Sequence, residues 1–437
     1  MRIRSQLFAA TLAAIVIMVC VRHRITVHAQ STDPTTDNAH AMIIQGRNTF
    51  RFDTFGDEAY WGDTLRLHQA IEGAKLGGVG PGVSPSTALA VGLKVDVDAL
   101  PDSVVSGLKQ GTVDLNDPTT TLVLLNLNAV VGVTGFFTTD GKLRSVGIQC
   151  AMCHSNVDDS FALGIGHRRD GWANRDLNVG AIVALAPDVS AISQLLGVDD
   201  NTVRKVLNSW GPGKFDAELA FDGMAFRPDG KSGAVLIPPA FGMGGVNLST
   251  WTGFGQTTYW NALVANLEMH GQGTFYDPRL GDATQFPVAA KAGLFKKTSD
   301  ADNITAKLAA LEFYQLALEV PKVSENAFNF AARRGQAIFN GKAQCAHCHV
   351  PPVFTEPGYN LHTPAEIGID DFQANRSPTH MYRTSPLRGL FTHQKGGFYH
   401  DGRFPDLRAV VDHYDALLET GLSDAEKSDL IAYLMTI

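Results

Sequence analysis

The runs Cys150-Ala151-Met152-Cys153-His154 and Cys345-Ala346-His347-Cys348-His349 are two copies of one pattern, C-x-x-C-H, set a domain's length apart. No other feature limits the fold so strongly. Two thiols one helical turn apart add to the two vinyl groups of a haem, and the adjacent histidine is then held beneath the iron. Each motif therefore predicts one covalently bound haem c, with Cys150, Cys153, Cys345 and Cys348 as attachment points and His154 and His349 as proximal ligands. The competing readings explain less. A disulfide inside each pair gives no reason for the histidine. A zinc site would bring two C-x-x-C pairs together without it. A thioredoxin-like motif needs a βαβ setting that the flanking sequence lacks. The fifth cysteine, Cys20, lies in the N-terminal apolar run, so disulfides are not expected to hold the fold.

That N-terminus reads as an export signal over residues 1–29. Arg2 and Arg4 precede the apolar run Leu7 to Val21, and Val27-His28-Ala29 offers a cleavage site. An uncleaved anchor helix is the alternative, disfavoured because the run is shorter than the ~20 residues of a span. Either way the folded part is expected outside the cytoplasm, in the periplasm or secreted. The 437 residues are 44% hydrophobic and 18% charged, which excludes a disordered chain, and a formal net charge of -8 without a basic stripe argues against nucleic acid.

The fold class expected is mainly α: two cytochrome c-like haem domains, loop-rich insertions and a small β element before the first haem. Residues 30–145 read as an N-terminal extension, polar and irregular over 30–60, helical from Asp63 to Ile71, with Thr121 to Val133 as a short sheet or hairpin. The first haem domain is assigned to 146–300 and the second to 301–437. In the second, Phe328, Ala332, Gly335 and Phe339 share one helix face leading into Cys345. Ser423 and Glu426 form a capping box ahead of Leu430, Ile431, Leu434 and Ile437.

The runs Tyr382-Arg383-Thr384-Ser385-Pro386-Leu387-Arg388 and Phe398-Tyr399-His400-Asp401-Gly402-Arg403-Phe404, followed by Leu407 to Tyr414, resemble the bacterial dihaem cytochrome c peroxidase and MauG superfamily. The resemblance covers the second module well and the first in pieces. It implies that the second haem relays electrons and carries a distal ligand near Tyr414, where the peroxidases have Met and MauG has Tyr. His413 and Met381 are the rival ligands. It implies that the first haem is the reactive one, with His167 as a removable distal ligand and Trp251, in Trp251-Thr252-Gly253, as an electron relay. Glu268, in Asn266-Leu267-Glu268-Met269, then stands as acid/base, with His270 as a substitute. The family also binds calcium, which would draw on Asn174 or Asn178 and on Thr384 and Pro386.

The function expected is an exported dihaem oxidoreductase of peroxidase or MauG type. Its partners would be peroxide or dioxygen, an electron-donor protein such as a small cytochrome or cupredoxin, and a second copy of the chain in a homodimer. Two other classes stay open: a purely electron-transferring dihaem cytochrome, and an oxygenase like the dihaem rubber oxygenases. The long segment between His167 and Pro238 departs from the peroxidases and pulls towards a larger substrate.

Overall fold

The computed structural model describes residues 33–437, so the expected export signal lies outside the described residues. Helix accounts for 42% of the chain and strand for 10%, which makes it mainly α. No helix among the described residues is long and apolar enough to cross a membrane.

The first long helix, α1 (Pro34–Phe52), corrects the reading of 30–60 as irregular. Asp33 caps it by accepting from the Thr35 and Thr36 amides, and Pro34 occupies its first turn. Its buried face is Gly46, Thr49 and Phe50, too small and polar to show as an apolar stripe. A second correction follows at α2 (Pro118–Asn126). The run from Thr121 was read as a strand, yet Asp117 accepts from the Thr119 amide and Pro118 starts a helix. The hairpin comes later, as β1 (Val133–Phe137) against β2 (Leu143–Ile148), with Val133 opposite Ile148. β2 delivers the chain directly to Cys150, and a one-turn helix, α3 (Ala151–His154), carries the first motif.

Beyond the first motif, α4 (Thr257–Leu263) runs into a π turn, Val264–Glu268. Then α5 (Leu308–Ala317) lies along α1, close enough that a Cβ on Gly46 would sit 1.9 Å from the Ala310 carbonyl oxygen. Phe50 and Tyr314 meet edge-on at 5.6 Å across that contact. One apolar cluster runs from Trp61 through Val146 and Trp210 to Ile237, so the extension, the hairpin and the long segment after His167 share a core.

The C-terminal part has a cluster of its own, from Ala332 to Leu434. It forms around α6 (Phe330–Asn340), α7 (Leu407–Leu417) and α8 (Asp424–Leu434). α6 and α8 cross at Gly335, where a Cβ would meet the Asp429 carbonyl oxygen at 1.9 Å. Phe339 packs edge-on against Tyr433 at 5.4 Å, and the Ser423–Glu426 capping box starts α8.

Candidate haem-binding site

One cavity of about 840 Å³ takes its walls from both C-x-x-C-H motifs. The two histidines are held alike. His154 Nδ1 lies 3.1 Å from the Pro238 carbonyl oxygen and His349 Nδ1 lies 3.1 Å from that of Phe354. An Nδ1–H donated to a carbonyl fixes the ring and leaves Nε2 free as a metal ligand. Burial pushes His154 down to about 4 and lowers His349, so both imidazoles are neutral at ordinary pH. The four cysteines are unpaired, and burial raises the Cys150 and Cys153 thiols to about 12. Two such pairs, each followed by a histidine, fit thioether attachment.

The charges on the wall fit the same group. Arg175, Arg383 and Arg388 line the cavity, and none has a carboxylate partner among the described residues. Arg175 Nε and Nη1 are buried without any acceptor, and burial lowers Arg175 and Arg383 to about 10. Arg383 donates only to the Thr250 and Leu248 carbonyls. A buried cation without a counter-ion costs several kcal/mol. Haem propionates are anions of the right kind to offset that cost.

Tyr414 lines the cavity and feels the Cys345 and Cys348 thiols. Burial raises its phenol. Tyr399 lies near enough to lower it, though the two hydroxyls make no hydrogen bond of regular geometry. Its neighbour His413 turns away, with Nε2 donating to the Ile367 carbonyl at 2.8 Å. Neither His413 nor Met381 reaches the cavity wall. On α7 the ring that faces the second motif is therefore the tyrosine. His167 is a correction of a different kind. Its side chain is 59% exposed and paired with Asp98 at 2.9 Å, outside the cavity, because its backbone runs along the surface of the Arg168–Asp170 strand.

Glu268 projects from the π turn into the cavity, and its Oε1 is buried without a partner. π turns recur at functional sites because one extra residue re-aims the side chains around it. This one is pinned from behind. Lys297 Nζ donates to the Asn266 and Gly271 carbonyls at 2.5 and 2.7 Å, and Asn266 Nδ2 donates to the Ala262 carbonyl at 2.9 Å. Burial, then repulsion from Glu218 and Asp216, raises the Glu268 carboxyl well above its ordinary range. Buried and with Oε1 unpartnered, the carboxyl favours its neutral form. His270, the substitute, stacks on Tyr60 at 3.6 Å and is pushed down to about 4 by burial. Trp251 lines the same cavity. Its Nε1 donates to the Leu236 carbonyl at 3.0 Å, and its own carbonyl accepts from the Arg383 amide at 3.1 Å. Leu236 lies two residues before Pro238, which holds His154.

No family model matches the chain. The methylamine utilization protein MauG of Methylorubrum extorquens is 32% identical over 159 residues, covering 31% of this chain and 44% of that protein. The cytochrome-c peroxidase IdrP1 of a Pseudomonas strain is 29% identical over 153 residues, covering 25% of this chain and 40% of that one. Over these segments the chain is similar to MauG and to a cytochrome-c peroxidase. It spans less than half the length of these curated relatives. A solved hydrazine synthase from Kuenenia stuttgartiensis is 18% identical over 49% of this chain and 76% of its own, at a TM-score of 0.28, too slight a likeness to bear on the fold.

Of the calcium ligands that the resemblance implies, Thr384 and Asn178 are hydrogen-bonded elsewhere, whereas Asn174 keeps its Oδ1 unpartnered. The Thr384 carbonyl accepts from the Thr355 hydroxyl, and the Thr384 hydroxyl donates to Glu356 at 2.5 Å. Asn178 caps a helix by accepting from the Ala181 amide at 3.0 Å. Asn174 donates to the Gly92 carbonyl at 2.9 Å and keeps only Oδ1 free, and no hydrogen bond among the described residues joins it to Thr384 or Pro386. Cys348, Glu356 and His362 are the one group of three ligating side chains close enough for a metal among the described residues, and it includes a haem-motif cysteine. Sequence reasoning missed Arg175, Asp216, Glu218 and Tyr399 on the wall. Asp216 meets Arg376 160 residues further along the chain, so no local spacing marks it.

Proposed function

We propose that the chain is a haem-dependent oxidoreductase of peroxidase type, with one haem c attached through Cys150 and Cys153 under His154 and a second through Cys345 and Cys348 under His349. The observation that carries this reading is Glu268, a buried carboxyl with an unpartnered Oε1 on the wall of the same cavity that both motifs line. When bound, haem supplies iron that takes up an oxidant and moves electrons.

The chain's own residues do the rest. His154 and His349 offer Nε2 in a fixed orientation. Tyr414 offers a phenol oxygen to the second iron, leaving the first for peroxide or dioxygen. Glu268 gives a proton to the oxidant's leaving oxygen and takes one from the near oxygen, general acid–base work worth roughly 10²–10⁴ in rate. Trp251, on the wall of that cavity, serves as the aromatic relay. Arg175, Arg383 and Arg388 neutralise the propionates. The apolar walls, Trp210 and Phe215 among them, exclude water. The electrons come from an exported donor protein, a small cytochrome or cupredoxin, and the chain itself works in the periplasm or beyond it.

A purely electron-transferring cytochrome has no use for a buried acid, and an oxygenase for apolar substrates has no use for one at its seat. Glu268 favours the peroxidase reading over both. Glu268→Gln keeps the shape and removes the proton. Peroxide-driven oxidation of a reduced donor should slow at least about tenfold with two haems per chain retained. An unchanged rate would remove Glu268 from the site.

A further inference from the structure

The long segment between His167 and Pro238 brings acids to the cavity wall behind Glu268. Asp216 and Glu218 are 3% and 5% exposed and line the cavity, and Asp222, one turn on, is 8% exposed. One cation meets this set. Arg376, fully buried, donates to Asp222 at 2.6 and 3.1 Å, to Asp216 at 2.9 Å and to the Gly233 carbonyl at 3.2 Å. Phe372 covers its guanidinium. Four carboxyl groups, with Glu268, share one positive charge. Full ionisation would leave three negative charges out of water, and each such ion costs several kcal/mol without a partner. Protons therefore reside in the cluster.

The hydrogen bonds point the same way. Asp216 Oδ2, Glu218 Oε2 and Glu268 Oε1 have no partner, and neither has Gln373 Oε1. Gln373 is 1% exposed, on the same wall, and draws the Glu218 carboxyl down against its burial. Full ionisation would leave the three carboxylate oxygens as bare buried acceptors. Burial first, then mutual repulsion, pushes Asp216 up to about 7 and raises Glu218, while Arg376 draws both back. The remaining titratable neighbours do not neutralise the set. Tyr60 is raised to about 12 by burial and by Glu268. His270 is held neutral by burial, and Lys297 is spent on the carbonyls behind the π turn.

We propose that Asp216 and Glu218 form a proton-holding relay behind Glu268, so that the acid at the oxidant's seat is refilled from within the inserted segment. The proposal rests on Glu268 handling protons. Reduction of one hydrogen peroxide to two waters takes up two electrons, from the donor protein, and two protons. Each proton that Glu268 delivers breaks its O–H bond and leaves a carboxylate; the proton taken from the oxidant's near oxygen refills it once, and the two protons of the net reduction must come from elsewhere. Transfer from Glu218 reforms that bond, and the Asp216–Glu218 pair recovers its proton from solvent. Both residues are positioning residues for proton supply, since neither meets the oxidant.

The test uses the holoprotein with both haems in place. Infrared spectra in H2O and D2O should show a protonated-carboxyl band that Glu218→Gln or Asp216→Asn removes. Each variant should slow peroxide turnover about tenfold above about pH 7 and less at lower pH, with haem content unchanged. Absence of any band that these substitutions remove would overturn the proposal. So would a band that is removed while turnover stays the same, or a metal ion found in the cluster by elemental analysis. If Asp216→Asn disturbs folding through Arg376, the Glu218→Gln variant, which has no ion pair to lose, decides alone. The infrared band is read without turnover. A silent Glu268→Gln therefore sinks the functional reading, whereas an active-site role for Glu268 with a silent Glu218→Gln sinks only the relay.

Discussion

The two haem-motif regions are built on opposite plans. Around Cys345 the chain closes on itself: α6 and α8 cross at one glycine, α7 lays Tyr414 over the motif, and the apolar cluster runs only from Ala332 to Leu434. Around Cys150 the wall is assembled from α1, the hairpin, the inserted segment and the π turn, and its core runs from Trp61 to Ile237. A relay centre needs little more than a packed, closed pocket. The proposed function asks more of the region around Cys150, and the acids it would use there come from distant segments.

Loss of attachment should separate the two most sharply. Cys150→Ser with Cys153→Ser, and Cys345→Ser with Cys348→Ser, should each leave one haem by pyridine haemochrome assay and abolish donor-dependent peroxide turnover. The first pair should also loosen the extension, which packs around Met152, and raise its protease sensitivity. The second pair should leave the extension protected. Equal protease sensitivity in the two variants would break the comparison.

The helix crossings test the same point at lower cost. Gly46 and Gly335 each face a carbonyl oxygen at 1.9 Å from where a Cβ would stand. Overpacking of this kind costs typically 1–3 kcal/mol. Gly335→Ala should destabilise the protein by about that much and perturb the spectrum of the second haem. Gly46→Ala should cost a similar amount, and disturb the first haem instead. Thermal unfolding followed at both haem bands would show whether the disturbance stays within one region.

A ligand test is narrower still. Tyr414→Phe should convert one ferric haem from its native coordination to a high-spin form in electron paramagnetic resonance, with the fold intact. His413→Ala should not, since its ring is spent on the Ile367 carbonyl. If His413→Ala changes the spectrum and Tyr414→Phe does not, the two residues exchange places in the account.

What could be seen in the sequence follows the same division. The closed region is local. Ala332, Gly335 and Phe339 form the packed face of α6, although Phe328 lies before its start, and with the Ser423–Glu426 capping box they act over a few turns, so their pattern is visible in the chain. The open region is not. α1 escaped notice because its packed face is Gly46, Thr49 and Phe50. The Thr121 run has strand-like composition, but the Asp117–Pro118 start signal outweighs it. Glu268 stood out through a short motif, yet Arg376 is 160 residues from Asp216 in a fold that alone brings them to 2.9 Å. His167 followed the first motif at a plausible distance, and only the Asp98 contact shows that it faces solvent.

The smallest effect concerns what supports the open region from below. Asp57 is fully buried, and its carboxylate oxygens accept from the Ile148 amide at 3.2 and 3.3 Å, two residues before Cys150. Burial, against the pull of that amide, raises its carboxyl from the ordinary 3.8 to about 9. The folded chain therefore holds this proton more tightly than the unfolded one. The stability it contributes is fully present below about pH 4 and is lost as pH rises towards about 9. Asp57→Asn keeps an acceptor for Ile148 and carries no proton to lose. Between about pH 6 and 9 the melting temperature of the wild type should fall, and that of Asp57→Asn should fall less, by a few degrees at the alkaline end. Beside the second motif the acid is Glu356, whose carboxyl is half-buried but drawn below its ordinary range by hydrogen bonds from Thr384 and His362, so the haem band at Cys345 should report little of this slope. If both bands follow it equally, the two regions melt as one unit and the division between them is one of construction only.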